Sequence, residues 1–490
     1  MKIESLARRV RHGLAPLATA LAASLVVACG SGDQLARTGG GGTGIASVGG
    51  TVTGFGSVVV DSDRWDDRRA RVEIERSPGA GQVLAETKLG QRVLIESTTA
   101  GVADRIELDP EVIGRVTETS PTAVPPQFKV AGQTVLVNVD PAVGPVTVFD
   151  GASGVAALLA GDAVEVHGSQ RFDAALNRYV VLASRVERLA TLPANLVRVA
   201  GTVSALSAVD RRFVLGELTV TALSSTVQVP ANRTLANGQR VVVWSDDPFG
   251  SGSGGPTLTA DFIRIVERST GGGGRSQLSG NVSRLDPNAL TFEAAGMRVN
   301  ARAAIIVPAS QTLTDGRYVI VNGEFDNAGV LQARQVRIRR GDASDSAITL
   351  EGSITDFQSI ASFRVRGVGV DATGVSPLSA CPASGLANGL FVEISGRINV
   401  ADGRVIGERL RCVPDPSGRV LTLEGAAGNV NASAQSFTLT PGTGGAWVVA
   451  WTANTYFEGV TAATLAGRTV SVEGFADGAN FIALKIKLRG

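Results

Sequence analysis

The sequence predicts an all-β chain, a tandem array of six small OB-like β-barrels behind an N-terminal export signal. Composition is the first of three observations that lead there. Gly is frequent at 60 of 490 residues and follows no triplet period, while aromatic residues make up only 5%. Such a chain builds cores from Val, Ile, Leu and Ala and joins short strands by tight turns. The second observation is a phrase written six times: "LGQRVLIES" from Leu89, "AGDAVEVHG" from Ala160, "NGQRVVVWS" from Asn237, "DGRYVIVNG" from Asp315, "NGLFVEISG" from Asn388 and "AGRTVSVEG" from Ala466. Each has Gly second, Val fifth, and Ile or Val seventh. Gly supplies a positive-φ turn, and the alternation after it is a half-buried strand. The third observation is order: an opening strand, one or two middle strands, the Gly-turn strand, then a closing strand.

The elements follow in sequence. Lys2, Arg8, Arg9 and Arg11 precede an apolar stretch from Leu14 to Ala28, too short for the roughly 20 residues that span a bilayer as a helix. The stretch ends Val26-Val27-Ala28-Cys29 and is followed by Gly30 and Ser31. These residues resemble the signal peptide of bacterial lipoproteins, with an ordinary secretory signal as the alternative. The resemblance implies cleavage after residue 28, acylation (palmitate among the chains) at Cys29 and residence in the outer membrane, because the Asp used for inner-membrane retention is missing. Several acyl chains hold a protein on a bilayer where one holds it only marginally. Residues 29–47 are Gly-rich and read as a tether.

Six β repeats are expected at 48–109, 110–190, 196–268, 277–340, 347–414 and 419–490, with a Gly-rich linker at 269–276 between the third and fourth. Opening phrases recur as "GTVTGFGS" from Gly50, "GRVT" from Gly114, "GTVS" from Gly201, "GNVS" from Gly280 and "GSIT" from Gly352, and "GAAGNV" from Gly425 is a degraded copy. The spacing of roughly 64 to 87 residues suits a small closed barrel, which removes exposed strand edges. A single six-bladed propeller is the alternative, although its blades take only about 40–50 residues. The phrase "GTVTGFGSVVVDSDRWD", the Gly-turn strand and the Ala-led closing strand together resemble the bacterial repeat domain of unknown function five-six-six-six, most clearly in the first repeat. That resemblance implies a secreted or lipid-anchored envelope protein and brings no catalytic residue with it.

Little in the chain points to a reaction. Net charge is +1, and loss of residues 1–28 turns it to about −2, so no field gathers nucleic acid. With Cys29 assigned to lipid, Cys381 and Cys412 remain in an oxidising compartment, where a disulfide is expected; two free buried thiols are the alternative. His167 is the one His after residue 28. Alternation aims Val164 and Val166 at the core and His167 at solvent, like Glu96, Trp244, Asn322, Ser395 and Glu473 at the same place in the other copies. A lone surface His supports no Ser-His-Asp or Cys-His system. "DSDRWDD" at 61–67 gathers four carboxylates but lacks the Gly and distal Glu of a calcium loop, and reads as a hairpin turn. "GGAWVVAWTANTYFEG" at 444–459 holds the candidate binding residues Trp447, Trp451 and Tyr456, either an aromatic platform or the core of the last repeat.

The expectation is therefore a non-catalytic envelope scaffold or adhesion and ligand-binding module, held to the membrane by its lipid, with a glycan or envelope protein as partner. No nucleic acid, cofactor or metal site is expected. An envelope enzyme acting on glycans and a periplasmic small-ligand carrier are the alternatives.

Overall fold

The computed structural model describes residues 46–490 except 79–80, 253, 267–274, 342–346, 377, 443 and 490. The proposed signal peptide, Cys29, most of the first tether and most of the central linker lie outside the described residues. Within them the chain is all-β, with two single-turn 3-10 segments at Val155–Ala157 and Ala462–Thr464. No helix among the described residues is long and apolar enough to cross a membrane.

The strands close into six small OB-like barrels. The fifth shows the plan plainly, with strands Ile348–Ser359, Ser362–Val365, Val368–Asp371, Phe391–Ile398 and Val405–Cys412. Its first strand pairs antiparallel with the second and the fourth, the second with the third, and the fourth with the fifth; the third and fifth run parallel and close the barrel. The same pairing recurs in the barrels beginning at Val112, Val197, Ser276 and Leu421, and in the barrel beginning at Ala46 the parallel closure onto Arg105–Leu108 is made by a further strand, Arg71–Glu75. A propeller is not needed to account for six copies.

The recurrent phrase does what its pattern predicts. The second-position glycines, Gly90, Gly161, Gly238, Gly316, Gly389 and Gly467, all have φ between 73° and 94°, a region costly for residues with a Cβ. The Val and Ile at its fifth and seventh positions are buried in every copy. A further rule unites five of the barrels: Phe128, Phe213, Phe292, Phe363 and Phe437 each occupy the second strand and are buried in the core. This recurrent ring packs among Val and Leu.

The barrels do not hang as separate beads. The first strand of unit 1 runs parallel to that of unit 4, from Ser47 opposite Ser276 to Gly49 opposite Leu278. Farther on it runs parallel to that of unit 5, with Gly54 opposite Thr349. A Cβ at Gly54 would lie 2.3 Å from the Thr349 carbonyl oxygen, so only glycine permits this approach. Units 2 and 3 join antiparallel, Arg198 opposite Ile113. One hydrophobic core is continuous through units 1 and 5, and another through units 2 and 3. The central linker therefore does not divide the chain into independent halves, because strands from both sides of it pair.

This docking overturns the solvent-facing assignment of His167, which is 0% exposed. Its Nε2 lies 2.8 Å from Glu165 Oε1, and its Nδ1 accepts the Arg92 backbone N–H of unit 1 at 3.2 Å. Trp244, at the same place in unit 3, is also fully buried, with the Arg198 guanidinium 5.7 Å from its ring centre. The outer face of a fourth strand is thus an interface wherever a neighbouring barrel covers it.

Candidate functional site

Docking of units 1, 2, 5 and 6 leaves a cleft of about 810 Å³ among them, within the size range of ligand sites. One of its buried charged groups is Arg366, whose side chain is 5% exposed and lies between two acids from different barrels. Arg366 Nη2 is 3.0 Å from Glu473 Oε1 of unit 6 and 3.9 Å from Asp67 Oδ2 of unit 1. The guanidinium also sits 5.4 Å from the centre of the Phe55 ring, so its remaining face is apolar. Burial pushes the Asp67 carboxyl above its ordinary range, with Arg366 pulling the other way. Burial likewise raises Glu473 against the opposing pull of Arg366 and Lys485.

Toward the rim the charges are paired. Burial disfavours the Lys485 ammonium, but Glu86 of unit 1 and Glu458 outweigh it and raise its pKa; Glu458 Oε2 is 2.6 Å away. Lys88 meets Glu187 of unit 2 at 2.7 Å, and Arg489 bonds Asp356 of unit 5, lowering that carboxyl. Arg404 donates to the carbonyls of Val370 (2.7 Å) and Ala361. Eight basic and nine acidic side chains line the cleft, so it presents no dominant sign.

Four buried polar atoms of the cleft have no hydrogen-bond partner, Asp67 Oδ1, Arg366 Nη1, Glu424 Oε1 and Glu458 Oε2, and the first two belong to residues in contact with each other. Of these two, one is an acceptor and the other a donor. Buried polar groups are nearly always satisfied, so this pair marks the place where something polar belongs.

The aromatic candidates separate. Trp451 is 6% exposed and packs in the core of unit 6, its ring 6.2 Å from both Phe437 and Phe457. Trp447 is 37% exposed and meets the edge of Phe481 at 5.7 Å. The shared-face platform of Trp447 and Trp451 is not formed, because the strand covers only Trp447–Ala450 and the chain beyond it turns Trp451 inward. Tyr456 alone of the three reaches the cleft.

The acidic run at 61–67 divides too. Asp61 is buried and accepts the Thr51 N–H at 3.1 Å and the Tyr318 hydroxyl of unit 4 at 2.8 Å. Asp66 is held by the guanidinium of Arg68, and Asp67 turns to the cleft. Rather than one hairpin turn, a turn at Asp61–Ser62 leads into the short strand Asp63–Trp65. No group of His, Cys, Asp and Glu able to hold a metal ion occurs among the described residues. Cys381 and Cys412 form a disulfide in unit 5. Cys29, the lipidation candidate, lies outside the described residues.

Arg366 was not singled out in the sequence, and Glu473 was assigned to solvent. Arg366 sits at a hairpin turn with positive φ, a place that reads as solvent, and Glu473 has the outward parity that alternation assigns to solvent.

Comparisons with known proteins bear on the fold and the family. No curated protein matches the chain. Among solved structures it is similar to Drosophila Unr CSD456, at 12% identity over 62% of this chain and 97% of that one, with a TM-score of 0.11. At that score the likeness carries no argument, and the barrel assignment rests on the strand pairing. The family described as Domain of unknown function (DUF5666) matches at residues 113–187, 279–337, 351–410 and 424–487, which are units 2, 4, 5 and 6. The first repeat, where the resemblance is clearest by eye, is not among the matched segments, although it has the same strand order. With four matches spanning more than half of its length, the chain belongs to the DUF5666 family.

Proposed function

We propose that the mature chain is a non-catalytic, lipid-anchored envelope protein, facing the periplasm or cell surface from the outer membrane, whose docked barrels form one ligand-binding module. The observation that carries the binding reading is the shared cleft. Four barrels contribute to it, so the site exists only when the chain is assembled. Many of its acids and bases form ion pairs with one another. Arg366 stands between Asp67 and Glu473, leaving no free carboxylate pair arranged around a substrate bond. Residues 14–29 support the anchor, since the Cys follows a small residue at the end of a short apolar stretch.

The enzyme reading draws on one observation, that burial raises both Asp67 and Glu473. Incubation of the purified chain with neutral oligosaccharides separates the two. Intact sugars after prolonged incubation are the expected result, and cleavage abolished by Glu473→Gln would overturn the non-catalytic reading. Membrane fractionation with a clickable palmitate analogue tests the address. The parent chain is expected to take up label and sediment with outer membranes, whereas Cys29→Ser takes up none; equal labelling of the two refutes the anchor.

A further inference from the structure

We propose that the floor of the cleft is a diol clamp for a neutral glycan, with Asp67 and Arg366 binding adjacent hydroxyls of one sugar ring. The proposal deepens the binding-module reading and rests on it. Its starting point is the unsatisfied pair at the floor, Asp67 Oδ1 and Arg366 Nη1. An unpaired buried polar group is costly, and here two such groups of opposite hydrogen-bonding character belong to residues already in contact. A hydroxyl is both donor and acceptor. One hydroxyl of a vicinal diol donates to the carboxylate while its neighbour accepts from the guanidinium, and both protein atoms are satisfied by one uncharged ligand.

The charges around the floor argue for neutrality. An anionic ligand would compete with Glu473 for Arg366, and a cationic one would compete with Arg366 for two buried acids. Either exchange leaves a buried charge without its partner, which is costly. A polyhydroxylated ligand disturbs none of these pairs. Tyr456, half-buried at the cleft, adds a ring against which the C–H face of a pyranose can pack. The clamp also depends on docking, because Asp67 comes from unit 1, Arg366 from unit 5, and Glu473 and Tyr456 from unit 6.

Calorimetric titration tests this with residues 29–490 carrying Cys29→Ser. The neutral probes are cellopentaose, maltopentaose and chitopentaose, with pentagalacturonate as the anionic and a chitosan pentamer as the cationic comparator. At least one neutral probe is expected to bind, and Asp67→Asn and Arg366→Lys are each expected to weaken it by about tenfold or more while melting like the parent. Should either variant fold poorly, hydrogen exchange on the unsubstituted chain gives the same answer. Protection by the neutral probe around residues 66–70, 364–369 and 471–475 supports the clamp, and protection confined elsewhere overturns it. Undiminished binding by both variants also overturns it. Binding of only a charged pentamer refutes the diol clamp and leaves the binding module standing, whereas binding of none of the five counts against both.

Discussion

Replacing Arg240 by Met removes the counter-charge of a carboxylate at the seam of units 2 and 3. Glu111 is 0% exposed, and both its oxygens lie 2.8 Å from Arg240 Nη2. Leaving such an acid buried and unpaired costs about 3–5 kcal/mol. Units 2 and 3 share one core and span about 150 residues, for which each kcal/mol moves the midpoint by roughly 2–4 °C. Arg240→Met should therefore lower the melting of this pair by roughly 6–20 °C. The companion experiment replaces both partners, Glu111→Leu with Arg240→Met. Because the desolvation cost of two charges cancels much of their attraction, the double variant should return to within about 1 kcal/mol of the parent. Scanning calorimetry reads the midpoints, and hydrogen exchange over residues 112–265 assigns the affected transition, since a chain of six barrels need not unfold in one step. A single variant that melts like the parent would refute the reasoning, as would a double variant no more stable than the single.

Three further outcomes are expected. Trp451→Ala should destabilise unit 6 by about 3–5 kcal/mol, as for a large buried ring, whereas Trp447→Ala at the surface should cost under about 1 kcal/mol; chemical denaturation of both variants measures the contrast. Replacing Cys381 and Cys412 by Ser opens a loop with a sequence separation of 31 and should cost about 3–4 kcal/mol in the chain-entropy account, read as the difference from the parent in denaturant and matched by the parent under reductant. Burial pushes Glu165 up, but the hydrogen bond and charge of His167, with the Arg76 guanidinium, outweigh it and hold the carboxyl down at about 2, against an ordinary 4.5. A depressed acid stabilises above its ordinary value and loses that contribution as pH falls toward its folded value. The seam of units 1 and 2 should weaken between about pH 4.5 and 2, visible as faster exchange of the Arg92 amide, and Glu165→Gln should flatten the dependence.

The sequence by itself determined the repeated barrel. Glycine at a positive-φ turn and apolar residues two apart are local demands, so six copies of "x-G-x-x-V-x-V/I" specify six equivalent strands whatever surrounds them. The barrel core was legible for the same reason, and the disulfide because Cys381 and Cys412 were the two Cys left over once Cys29 was assigned to lipid. Part of the site was legible as well: Tyr456 through its aromatic neighbourhood, and Asp67 within an acidic run whose purpose was misread.

Tertiary structure alone decided what covers the outside of each barrel. Alternation names the face on which His167, Trp244 and Glu473 lie, yet it is silent about whether water or another barrel meets that face. Docking buried the first two and aimed the third at Arg366, more than a hundred residues away in the chain. The cleft exists because charges from four barrels satisfy one another across interfaces, and such pairings depend on distances in space that no local spacing records.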